Sequence, residues 1–94
     1  MLFHIHCIDK ADSGEVRAAN RPDHLVYIQG FEDQIVIAGP MLSDDGEAML
    51  GSVFIFDAPD RAAAEAFAAD DPYAKAGLFE SVTIRRFRQV IPAG

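Results

Sequence analysis

Two short runs, Ile35-Val36-Ile37-Ala38 and Val53-Phe54-Ile55-Phe56, are apolar at every position. Successive side chains of a strand point to opposite faces, so a sheet with one wet face alternates apolar and polar residues. Strands that are apolar throughout need cover on both sides. A chain of 94 residues has few ways to provide it, because area scaling lets it bury only roughly 64% of its unfolded surface. Its own helices can cover one face. The other would remain an exposed apolar patch, and the pattern predicts that a second copy of the chain covers it, giving a homodimer through the sheets.

The rest of the chain supplies the helices. Leu2 to Ile8 reads as a strand with Phe3, Ile5 and Cys7 on one face and His4 and His6 on the other. A polar turn, 9–14, leads to a helix starting near Glu15 and capped by Ser13 or Asp12. Pro22 predicts a break there, with Asn20 or Arg21 capping a second helical stretch that carries Leu25, Tyr27 and Ile28 towards Gly30. Residues 34–39 form a strand closed by Gly39-Pro40, and residues 48–57 return antiparallel to it after a turn at Ser43-Asp44-Asp45-Gly46. Pro59 opens an alanine-rich helix with Asp60 in its first turn. It ends by Asp70, because Asp71 precedes a proline. One short turn follows over 72–76, and the last strand runs over 81–90. The order βαββαβ predicts a single α+β domain over 1–94, a ferredoxin-like plait with two helices on one face of a four-stranded antiparallel sheet.

Charge narrows the partners. Fifteen acidic residues against eight basic ones give a net charge of −7, which opposes binding to phosphate backbones and anionic lipids. The cluster Arg85-Arg86-Phe87-Arg88 reads as a solvated rim. Neither nucleic acid nor membrane is an expected partner, and no apolar run reaches the ~20 residues of a membrane span. Met1-Leu2-Phe3-His4 lacks a basic region followed by an apolar stretch, so no signal peptide is expected. Cys7 is the only cysteine. No internal disulfide can form, and a cytoplasmic setting is expected. No G-x-S-x-G, P-loop or G-x-G-x-x-G motif occurs, and no cofactor is expected.

An ordered set of short motifs resembles a known family. Arg17…Arg21-Pro22-Asp23-His24-Leu25 is followed by Gly39-Pro40, Gly51-Ser52, Asp70-Asp71-Pro72-Tyr73 and Ala76-Gly77-Leu78-Phe79-Glu80. Together they look like the YCII-related family of small dimeric α/β-barrel proteins, over nearly the whole chain. The resemblance implies a ferredoxin-like plait that dimerises through its sheets. It also implies an active site around a His and an Asp, at positions matching His24 and Asp71. A branch of the family resembles dehydrochlorinases of hydroxylated aromatic degradation. His4 and His6 do not belong to the family pattern.

Asp71 bonded to one nitrogen of His24 would fix the tautomer and free the other nitrogen for proton exchange. The alternative is that His24 packs on a helix surface and Asp71 merely caps the turn at Pro72. Arg17, Arg21 and His24 are spaced by four and three, so a continuous helix would align them. The two arginines could then hold a carboxylate or phenolate, or they could pair with Asp23, Glu15 or Asp71. Arg21 is the stronger candidate, being nearer to His24. Tyr73 could wall an aromatic-sized pocket, with Ser43 a secondary binding candidate and Gly39 allowing backbone to approach a ligand. His4 and His6 form a His-x-His on one strand face, which suits two metal ligands, but the sequence places no third ligand. A pair facing the dimer interface is the simpler reading, and no metal site is expected. Cys7 sits in an apolar strand that raises a thiol pKa.

These residues point to a small cytoplasmic enzyme using His24 as general acid/base and Asp71 as its orienter. The expected chemistry is lyase- or isomerase-like, on a small organic, aromatic-sized substrate. The alternative is a non-catalytic small-molecule-binding or accessory protein using the same pocket.

Overall fold

The computed structural model of the chain describes residues 1–93. Strand β1 (Leu2–Asp9) is followed by helix α1 (Gly14–Gln29) and a 3₁₀ turn over Glu32–Gln34. Strands β2 (Ile35–Leu42) and β3 (Met49–Asp57), helices α2 (Arg61–Asp70) and α3 (Pro72–Lys75), and strand β4 (Phe79–Phe87) complete it. The strands pair antiparallel in the order β2-β3-β1-β4. This is the expected ferredoxin-like arrangement, with the first and third strands at the centre.

Register decides which side of the sheet each residue serves. Phe3 lies opposite Phe56 and Ile5 opposite Phe54. With Cys7 these residues form a core beneath the helices, joined by Ala64, Phe67 and Ala68 of α2. Phe67 stacks on Phe56 with centroids 4.1 Å apart and meets Phe54 edge-on at 5.3 Å. Such aromatic pairs are worth about 0.5–1.5 kcal/mol beyond the area they bury. On the other face His4 lies opposite Ile55 and Arg85, and His6 opposite Val53 and Thr83. Among the described residues, no helix packs on this second face.

Several expectations need correction. First, α1 runs unbroken through Pro22. The proline removes the bond to the Ala18 carbonyl, but Ala18 and Pro22 are both exposed, so water can take that acceptor. Arg17 and His24 anchor the opposite face by their burial. Neither Asn20 nor Arg21 caps a second helix, and Ser13, at the N-cap position, makes no side-chain cap bond. Second, β2 continues through Gly39-Pro40 to Leu42. An edge strand tolerates proline because one side of it has no neighbour to receive an N–H. The β2–β3 register shifts between Ile35 and Ile37. Ile35 therefore faces the core, Ile37 the open side, and Val36 is the extra residue. Third, β4 spans 79–87 rather than 81–90, and Gln89 beyond it donates to the Pro92 carbonyl. Asp60 is the N-cap of α2, accepting from the Ala63 amide at 2.8 Å, rather than a first-turn residue.

Candidate active site

The unbroken α1 brings Arg17, Arg21 and His24 to one side of the helix, facing β2, β3 and α3. They line a cavity of about 180 Å³ whose walls include Leu25, Pro40 and Phe54. Arg17, Arg21 and Met49 also line a broader groove of about 650 Å³ beside the 9–14 turn.

His24 and Asp71 meet. The ring nitrogen Nδ1 lies 2.8 and 3.0 Å from the two carboxyl oxygens, and both residues are buried. The Tyr73 amide also donates to Asp71 Oδ1, at 2.9 Å. A carboxylate that already accepts from an amide can only accept again, so Nδ1 carries the hydrogen. Nε2 has no bonded partner among the described residues and remains open to the cavity. The two readings of Asp71 are therefore not exclusive. The same carboxylate caps α3 and orients His24.

Tyr73 is the platform for this pair. Its ring stacks on the His24 imidazole at 3.9 Å and 13°, and the Arg17 guanidinium lies 4.6 Å from its centroid. Burial raises the Tyr73 pKa against the opposing pull of Arg17. Arg17 is itself held firmly. Its Nε and Nη2 donate to the Asp9 carboxylate at 2.7 and 2.9 Å, and Nη2 also reaches Ser52 Oγ at 3.0 Å. Burial is the largest single influence and works against its charge, yet the hydrogen bond and charge of Asp9, together with Tyr73, outweigh it and raise the pKa above the ordinary value. Its partner is none of Asp23, Glu15 and Asp71. Asp9 and Ser52 escaped the sequence reading. Their signal was a carboxylate and a hydroxyl at buried or half-buried strand positions, where a polar group requires a partner.

Arg21 is exposed at the mouth of the cavity and forms no ion pair among the described residues. Gly39 lines the cavity with Pro40. Ser43 does not. It sits in the β2–β3 turn, where its hydroxyl donates to Asp45 at 2.6 Å and accepts from the Ala48 amide. His4 and His6 lie on the open face with centroids 6.0 Å apart. No cluster of three metal-ligating side chains occurs among the described residues. Cys7 is buried in the core, and its thiol is pushed up to about 12, by burial first and by the charges of Asp71 and Asp9 next. No described helix is long and apolar enough to cross a membrane.

Fold and pocket together define a class of small α+β proteins with a buried His–Asp pair under a ferredoxin-like sheet. The chain belongs to the YCII-related domain family, whose model matches residues 1–88. It is 40% identical to the protein YciI of Escherichia coli O6:H1, over 96% of this chain and 99% of that one. An uncharacterized protein of Haemophilus influenzae is 31% identical over the same shares. Among solved structures it resembles 5-chloro-2-hydroxyhydroquinone dehydrochlorinase (TftG) from Burkholderia phenoliruptrix AC1100, in complex with 2,5-dihydroxybenzoquinone. That match has a TM-score of 0.89 and 33% identity, and covers 96% of each chain.

Proposed function

We propose that the chain is an acid–base enzyme acting on a small, single-ring organic substrate, with His24 carrying the proton and Asp71 orienting it. The observation that carries this reading is the buried imidazole with Nδ1 bound to Asp71 and Nε2 open to the cavity. A neutral ring in this tautomer accepts a proton at Nε2 and returns it, which is what lyase- and isomerase-type steps need. Loss of HCl from a hydroxylated ring, as in the name of the dehydrochlorinase, is one reaction of that kind. Gly39 and Tyr73 shape the space, while Arg17 and Arg21 supply positive charge around it. The reading includes a cytoplasmic setting, which suits the single buried thiol.

The test is turnover. Hydroxylated and chlorinated single-ring compounds are screened with the wild type, and any active one is repeated with His24→Ala and Asp71→Asn. His24→Ala should fold and lose about 10²–10⁴-fold in rate, the usual contribution of a positioned acid–base group. A folded variant that keeps the wild-type rate removes His24 as the proton carrier.

The same reading places two chains face to face through their open sheet surfaces. Ile37 is 63% exposed there and Ile8 39%, while His4 and His6 would lie within the interface. Light scattering should give twice the monomer mass at micromolar concentration, and Ile37→Glu should halve it without unfolding the chain. A monomeric wild type would sink the dimer. Phe54→Glu, placed among the core aromatics, should unfold the domain instead.

A further inference from the structure

We infer that the cavity takes its substrate as a single-ring anion, with the negative group at Arg21 in the mouth and the proton-exchanging end of the ring inward at His24. This deepens the acid–base reading and rests on it.

Size comes first. An apolar cavity of about 150 Å³ accommodates benzene, so about 180 Å³ holds one six-membered ring with small substituents. The walls agree, since Leu25, Ile28, Pro40 and Phe54 offer apolar surface to a ring.

Charge comes second. The chain has fifteen acidic residues, yet no Asp or Glu lines the cavity, and its two permanently charged lining groups are Arg17 and Arg21. Arg17 is committed to Asp9 and Ser52. Arg21 has no ion-pair partner among the described residues. A guanidinium so placed favours a carboxylate, phenolate or enolate, which it can hold by paired hydrogen bonds. Beyond Arg21 and the Arg17–Asp9 pair, the adjoining groove sets one cation, Lys10, against two anions, Asp12 and Glu47, a balance that disfavours a longer anionic tail such as a nucleotide or coenzyme phosphate. The negative charge therefore belongs at Arg21 and no farther out.

Spacing comes third. Arg21 and His24 are three residues apart on one continuous helix, which puts their Cβ atoms about 5–6 Å apart on the same side. Arg21 is exposed and His24 buried. A single ring bound at its charged end by the first presents its far side to Nε2 of the second.

Benzoate and its neutral counterpart benzamide are the probes, titrated by calorimetry or NMR into the wild type, Arg21→Gln and Arg21→Lys. The wild type should bind benzoate about tenfold more tightly than benzamide, as expected for one charge-assisted contact at a partly exposed site. Arg21→Gln should lose that preference and Arg21→Lys keep part of it. Added salt should weaken benzoate and leave benzamide unchanged. Equal affinities in the wild type, a preference surviving Arg21→Gln, or no binding of benzoate at millimolar concentration would each overturn the inference. The underlying reading fails separately: His24→Ala would then leave turnover of an active compound intact whatever happens to the benzoate preference.

Discussion

Two buried carboxylates on the helix side of the sheet each hold a nitrogen base, and Tyr73 lies between the two pairs. Asp9 and Arg17 form a closed unit: the base is permanently charged, the contact is bidentate, and Ser52 accepts a further hydrogen. Asp71 and His24 form an open unit: the base is an imidazole, and one of its nitrogens is left facing the cavity. The difference separates a pair that only braces the fold from the pair that the proposed reading makes chemical. A permanently charged, bidentate pair holds elements together, here the end of β1, the first turn of α1 and, through Ser52, β3. A pair with one free nitrogen can exchange a proton.

The comparison is broken most severely by removing the closed pair's base. Arg17→Ala leaves Asp9 charged and unpartnered in the interior and should cost about 3–5 kcal/mol in urea denaturation, a large share of a small domain's stability. Replacing both members, with Arg17→Met and Asp9→Leu, should recover much of that loss. A single variant within 1 kcal/mol of wild type would show that Asp9 finds water instead.

Alkali sharpens the contrast from another side, because it acts on neutral core groups. The Cys7 thiol is pushed up to about 12, chiefly by burial. The Tyr27 hydroxyl, which donates to the Phe67 carbonyl, is raised to about 12, by burial and then by Asp70 and Asp71. A folded pKa above the unfolded one means that stability is whole below the unfolded value and falls as pH rises through the folded value. Stability should hold to about pH 9 and drop by a few kcal/mol towards pH 12. Cys7→Ala should flatten the lower part of that fall in thermal melts across the range. An unchanged slope would assign the fall to other groups.

The open pair should matter least to folding. His24→Ala removes a hydrogen bond to a charged group and should cost about 1.5–3 kcal/mol, less than the loss of Arg17 because the Asp71 carboxylate keeps the Tyr73 amide. A loss as large as that of Arg17→Ala would mean that His24 is scaffold too.

Much of this was legible in the sequence. The alternation of Phe3, Ile5 and Cys7 against His4 and His6 assigned the two sheet faces, and Asp71 before Pro72 marked a helix boundary. Apart from His24 and Asp71, which the family resemblance brought together, tertiary partners were not legible. Whether Pro22 breaks α1 depends on the surroundings of the Ala18 carbonyl and on the burial of Arg17 and His24, neither of which propensity records. Arg17 and Asp9 are eight positions apart across a turn, so no helical spacing announced them. The likeness of Ser43 to a binding residue came from its place in a polar loop, where a hydroxyl more readily bonds its own turn.

The Asp71 carboxylate is at once the cap of a four-residue helix and the anchor of the imidazole. Segments this short open and reclose far more often than a whole domain unfolds. The orientation of His24 therefore lasts only as long as a single helical turn stays wound. Each time 72–75 unwinds, the His24 imidazole loses its carboxylate partner while the sheet beneath it remains intact.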